Sequence, residues 1–131
     1  MKSDPVFLTF AEIIEIHHYQ IEHFGGTPGL RDIGLLKSAI GMPFATFGGA
    51  FLHPTIYEMA SAYLYHLVEN HPFVDSNKRV GAMAALVFLD LNEIDFEAPD
   101  GEFTRMVLNV AGGKMLKAEI TLFLKRHSHE R

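Results

Sequence analysis

The stretch from Val80 to Leu89 does most to limit what this chain can fold into. It contains no polar side chain, and Ala82 to Leu89 is the longest unbroken apolar run in the sequence. Such a run is far shorter than the roughly twenty residues a membrane span needs. Read as a helix, it has almost no polar face, and a helix that is apolar on every side has to be buried. Other helices must therefore surround it. The polar stretch just before it, His71 to Arg79, leaves the start of that helix facing outward.

The remaining pattern supplies those helices. Thr9 and Glu12 have the spacing of a capping box, and Phe10, Ile13, Ile14, His17, Ile21 and Phe24 follow at helical intervals until Gly25-Gly26 stops them. Asp32 can cap a second helix from Ile33 to about Gly41, ended by Pro43. Residues 43–54 are rich in Gly, Pro and Phe and read as an irregular, partly extended loop. The phenylalanines there either tuck beneath the loop or mark a contact surface. A longer helix runs from about Thr55 to Asn70, striped by Ile56, Met59, Ala60, Tyr63, Leu64 and Leu67. The apolar helix starts at Ser76 or Asn77 and ends near Leu91; two amphipathic helices follow, about Glu102–Ala111 and Lys117–Arg126. Strand signals are weak, and the tail His127 to Arg131 reads as frayed. The expectation is an all-α bundle with residues 1–131 as one domain.

Charge and composition narrow the function. Eleven basic against sixteen acidic residues leave a net charge of −5, which argues against direct nucleic-acid binding. With no cysteine, disulfides, thiolate metal sites and thiol nucleophiles are excluded. The start, Met1 to Pro5, has no apolar stretch resembling a signal peptide, so a soluble protein of the cytoplasm is expected.

The chemistry concentrates at His71-Pro72-Phe73-Val74-Asp75-Ser76-Asn77-Lys78-Arg79. A helix start leaves backbone N–H groups unpaired and carries partial positive charge, which suits an anion. Lys78 and Arg79 add two cations where helices ordinarily place acids, an arrangement that a phosphate would favour. Asp75 is a carboxylate beside that site, suited to Mg²⁺. Asn77 can bond a phosphate oxygen or the loop backbone. His71 is the one base in the stretch that works near neutral pH. Phe73 should plug into the core and anchor the loop. A solvated basic pair behind a capping Ser76 is the plainer alternative.

The stretch resembles the signature of Fic/Doc proteins, His-Pro-Phe-x-Asp/Glu-Gly-Asn-Gly/Lys-Arg. Three further pieces look like the death-on-curing (Doc) branch: Phe24-Gly25-Gly26, the run Gly29 to Ile40, and Thr46-Phe47-Gly48-Gly49 before Leu52-His53-Pro54. The resemblance implies a compact bundle of six or seven helices with the signature at a loop–helix junction. It implies that His71 takes a proton from a target hydroxyl and that Asp75 holds Mg²⁺. Ser76, Asn77, Lys78, Arg79 and the helix-start amides would hold ATP phosphates, and the 43–54 loop would dock the target segment. Lys78 stands where nucleotidyl-transferring relatives carry Gly, and Ala82 where many carry a second Arg. Both point to the Doc reaction, transfer of the terminal phosphate of ATP to a threonine of elongation factor Tu. Nucleotidyl transfer and a non-catalytic binding module are the alternatives. No Ser or Thr is followed four residues on by Glu, the Fic self-inhibitory pattern, so restraint is expected from a separate antitoxin. Ser76 departs from the family's usual Gly or Ala and could crowd a phosphate.

Other candidates carry less. His18 and Glu22 have i,i+4 spacing but no zinc-protease pattern around them. His17, on the apolar stripe, reads as a hydrogen-bonded core residue, and His53 and His66 as structural. Tyr57, Tyr63 and Tyr65 serve either packing or target contact.

Overall fold

The computed structural model describes residues 4–131; the opening Met1 to Ser3, part of the start read as free of any targeting signal, lies outside the described residues. Helix α1 (Phe10–Phe24) is capped by Thr9, with the capping box formed as expected. Asp32 caps α2 (Ile33–Gly41) by accepting from the Leu35 N–H at 2.9 Å. A short 3₁₀ turn, Met42–Phe44, leads into a hairpin of β1 (Thr46–Phe47) and β2 (Ala50–Phe51), turned by Gly48 and Gly49 at positive φ. Helices α3 (Ile56–Asn70) and α4 (Asn77–Leu91) follow, then β3 (Ile94–Phe96), α5 (Glu102–Ala111), α6 (Lys117–Arg126) and β4 (Ser128–Glu130). The class is all-α, as the sequence implies.

Helices α3 and α4 pack against each other at the centre, with α6 and α2 against α3 and α1 against α4. Gly81 permits the close approach: a Cβ there would lie 3.0 Å from Val68 Cγ2 and 3.1 Å from the Leu64 carbonyl. The centre is shared more evenly than the sequence suggests. Along α4 the buried positions are Val80, Gly81, Ala84, Ala85, Phe88 and Leu89, while Ala82, Met83, Leu86 and Val87 are half-buried. Helix α3 buries every residue from Met59 to Leu64, including Ser61, whose hydroxyl donates to the Lys117 carbonyl.

Two expectations are corrected. The tail does not fray: Ser128 to Glu130 pair antiparallel with Phe96 to Ile94, and Arg131 binds Asp90 and Asp95. Strand propensity was too weak to reveal this pairing, because the register is set by the Arg131 contacts and by Phe96 packing on Phe103 and Phe123. The loop phenylalanines are not tucked away: all three are exposed, Phe44 at 45% and Phe51 at 38% as well as Phe47. Phe44 and Phe51 pack on Phe7, with ring centroids 5.6 and 5.9 Å away, whereas Phe47 at the hairpin is 80% exposed.

Candidate active site

The site is made by a reversal of the chain between the two central helices. His71 ends α3 in the left-handed conformation (φ 52°, ψ 51°). Ser76, also left-handed (φ 70°), begins α4. Between them Phe73 plugs into the core, 1% exposed, and stacks flat on His17 with centroids 3.9 Å apart. Asn77 closes the loop on itself: its side-chain amide donates to the Phe73 carbonyl and accepts from the Phe73 N–H, both at 2.9 Å. That is the loop-backbone role left open by the sequence.

The α1–α2 connection supports the loop from behind. The Val74 N–H donates to the Gly29 carbonyl, and Leu30 forms an isolated bridge with Phe73. The Asp75 carboxylate accepts from the backbone N–H of Thr27 (3.0 Å) and of Ser76 (2.8 Å). Those two bonds, with Arg79 adding less, hold its carboxyl below the usual range, so it is ionised at neutral pH. Gly26 (φ 120°) is required here, since a Cβ would come within 2.8 Å of Asp75 Oδ2. His17 is the core histidine expected, donating from Nε2 to the Asp75 carbonyl at 3.1 Å. Burial lowers its pKa and outweighs that bond.

Ser76 does not cap the helix with its side chain. Side-chain capping needs an extended backbone at that residue, and a left-handed φ turns the hydroxyl away. Ser76 Oγ instead accepts from Arg79 Nη2 at 2.5 Å. Arg79 also donates to the Gly25 carbonyl at 3.1 Å and lies over the Phe24 ring. Lys78 is exposed and bonds to none of the described residues. The N–H groups of Asn77, Lys78 and Arg79 make no backbone hydrogen bond, the first such bond of α4 being Val80 N–H to the Ser76 carbonyl.

His71 Nδ1 faces the Val68 carbonyl at 3.3 Å. A carbonyl only accepts, so Nδ1 carries a proton, and in the neutral ring the lone pair is then on Nε2. His71, Asp75, Ser76, Asn77, Lys78 and Arg79 all line one cleft of about 280 Å³, so every residue singled out for the site is brought together. A smaller apolar cavity of about 180 Å³ adjoins it, bounded by Lys78, Arg79, Ala82, Phe103, Val107 and Leu108.

Gly26, Thr27 and Arg31 were missed as site residues: Gly26 and Arg31 entered the sequence reading only within a helix stop and within pieces of the family resemblance, which was the one signal that could have pointed to them. His18 and Glu22 form an exposed pair at 3.3 Å, and among the described residues no group of three metal-ligating side chains occurs. Tyr63 is fully buried, its hydroxyl accepting from the Leu8 N–H.

The fold thus gathers an imidazole, a carboxylate, two cations and helix-start amides with no backbone partner into one cleft of a helical bundle. The Fic/DOC family model matches residues 7–89, which span α1 to α4 and the whole site. The chain belongs to the Fic/DOC family, on its Doc branch. It is 31% identical over 117 residues to the protein kinase doc of Escherichia phage P1, covering 88% of this chain and 90% of that one. It is 41% identical over 75 residues to the toxin Doc of Mycolicibacterium smegmatis, covering 57% of this chain and 58% of the relative. No helix among the described residues is long and apolar enough to cross a membrane.

Proposed function

We propose that the chain is a Doc-type toxin that transfers the terminal phosphate of ATP to a Ser or Thr hydroxyl of a translation protein, elongation factor Tu, in the cytoplasm. A cognate antitoxin restrains it. The carrying observation is the cleft, which holds His71, with Nδ1 turned to the Val68 carbonyl, beside Lys78 and the helix-start amides of α4, which have no partner among the described residues.

Each residue then has a role. The target hydroxyl gives its proton to His71 Nε2 as its oxygen forms a bond to the terminal phosphorus. The bridging P–O bond breaks and ADP leaves. Lys78, Arg79, the amides from Asn77 to Arg79 and the Ser76 turn hold phosphate oxygens against the charge that builds up in transfer. Asn77 also keeps the loop in shape. Asp75, an ionised oxygen donor with one N–H bound to each oxygen, fits a hard cation carried in with phosphates. Bound there, Mg²⁺ would neutralise phosphate charge. The phage relative's name, protein kinase doc, agrees with phosphoryl transfer. Lys78, a long cation at the second position of α4, fills space that a Gly would leave to phosphate.

Purified protein, Mg²⁺ and elongation factor Tu are incubated with ATP labelled on the alpha or the gamma phosphate. Label should come from gamma alone, and His71→Ala should transfer about 10²–10⁴-fold less. Label from alpha would replace the reading by nucleotidyl transfer. No label on any protein of a cell lysate would leave a binding module.

A further inference from the structure

We propose that Arg31, which does not line the cleft, is the positioning residue for His71. The proposal rests on the reading of His71 as the base. His71 is held in a left-handed conformation that residues other than glycine seldom adopt. Its own side chain makes one long bond, to the Val68 carbonyl at 3.3 Å. What fixes its backbone comes from elsewhere in the chain.

Arg31 takes hold of three consecutive carbonyls across this turn. Its Nε donates to the His71 carbonyl at 2.6 Å and its Nη2 to the Asn70 carbonyl at 3.0 Å. Its backbone N–H donates to the Pro72 carbonyl at 2.8 Å, with the Asp32 N–H sharing that acceptor at 3.0 Å. Two of those carbonyls close α3, where a helix has no partners of its own and carries partial negative charge. A guanidinium satisfies two of them from one edge with a rigid planar fork, a geometry that an ammonium on a flexible stem does not supply.

The clamp is itself anchored. Leu30, before Arg31, bridges to Phe73, and Asp32, after it, caps α2. Arg31 thus ties the end of α3 to the start of α2, and the direction of the His71 ring follows from that tie. If the His71 backbone relaxed toward an ordinary conformation, Nδ1 would leave the Val68 carbonyl. The ring would then lose both its tautomer and its aim.

The test uses the full chain with Arg31→Met and Arg31→Lys, and reads two quantities that lost stability alone would not move. In Arg31→Met, kcat for gamma-phosphate transfer should fall about 100-fold, the effect of a displacement of about an ångström. KM for ATP should hold, because Arg31 does not line the cleft and its hydrogen bonds go to Asn70, His71 and Pro72, none of them a residue assigned to phosphate. Arg31→Lys should recover a small part of kcat. In ¹⁵N spectra of the imidazoles, wild-type His71 should carry its proton on Nδ1, and Arg31→Met should show mixed tautomers. An unchanged kcat in folded Arg31→Met overturns the proposal, as does an unchanged His71 ¹⁵N pattern. If the wild-type chain transfers no phosphate, the functional reading fails, and the ¹⁵N spectra still decide whether Arg31 sets His71.

Discussion

Two helices of this molecule begin with a cation where an acid is the ordinary choice, and they resolve it in opposite ways. At α6, Lys117 is the first residue, and its ammonium lies 3.1 Å from His53 Nε2 and 3.0 Å from His66 Nε2, with the Tyr65 ring beside it. Glu119 supplies an acid in the same turn. At α4, Lys78 and Arg79 have no acid in the first turn, and Lys78 has no partner among the described residues. Both starts place a cation in the first turn, and α4 is the more irregular, having two cations and no acid there. Only the surroundings show that one cation is satisfied inside the fold while the other has no partner among the described residues.

The sharpest way to break the comparison is to remove an imidazole from each end. His71→Ala should lower phosphate transfer by about 10²–10⁴-fold, the usual weight of a general base, and leave the melting temperature in place, since His71 is exposed and makes one long bond. His66→Ala should leave transfer per folded molecule unchanged and lower stability by about 1–3 kcal/mol, because Lys117 loses an acceptor in a half-buried site. Activity assays beside denaturant unfolding would show the two effects apart. Equal losses of both at both ends would end the distinction.

Exchanging the cations themselves gives the next effect. Lys117→Met leaves His53 and His66 without their common donor and should reduce stability by about 1–3 kcal/mol. Lys78→Met should change stability by no more than about 0.5 kcal/mol while weakening ATP binding. Calorimetric titration with ATP and Mg²⁺ on both variants checks the pair.

Acid should act on the α6 end first. Burial, with help from the Lys117 charge and from His53, pushes the His66 pKa down to about 4 from an ordinary 6.5. Burial and Lys117 lower that of His53 in the same direction, against smaller opposing pulls from the Met42 backbone and then Glu58. As pH falls below 6.5, the unfolded chain binds protons that the folded ring refuses until about pH 4, so stability is lost across that window. The slope is at most about 1.4 kcal/mol per pH unit per site, and less where water reaches the ring. Asp75 responds only lower down, since its depressed pKa contributes stability that is full above 3.8 and lost on further acidification. His66→Gln should flatten the stability profile between pH 6.5 and 4, measured by unfolding at stepped pH.

How far the sequence could be read follows the same division. The six helices were legible because each carries its own signals: Thr9 and Glu12, Asp32, and the stripes of α3 to α6. The residues of the cleft were legible because they are nearly contiguous, from His71 to Arg79. What escaped depends on contact across the chain. Arg31 and His71, or Thr27 and Asp75, meet only when α1 and α2 fold back under the loop. Lys117 in α6, like His53 and His66 upstream, is unremarkable alone, and the long separation between them leaves no local pattern. The β3–β4 pairing was missed for the same reason.

The smallest prediction concerns the residues just before the two helices. Ser76 precedes α4 at φ 70°, where a side chain is disfavoured by about 1–2 kcal/mol. Leu116 precedes α6 in the extended region, φ −87° and ψ 156°, with no such strain. Ser76→Gly relieves the strain, gives back part of the gain as extra freedom in the unfolded chain, about 0.5–1 kcal/mol, and loses the Arg79 hydrogen bond. Because that lost bond is itself worth about 0.5–1.5 kcal/mol, the gain and the losses nearly cancel, and the melting temperature should stay within about 2 °C for a chain of this size. Leu116→Gly has no strain to relieve and should lower the melting temperature. If both variants melt lower by more than that, Ser76 is held by its bond to Arg79 more strongly than its backbone resists. The α4 start would then be as fully satisfied within the fold as the α6 start, apart from Lys78.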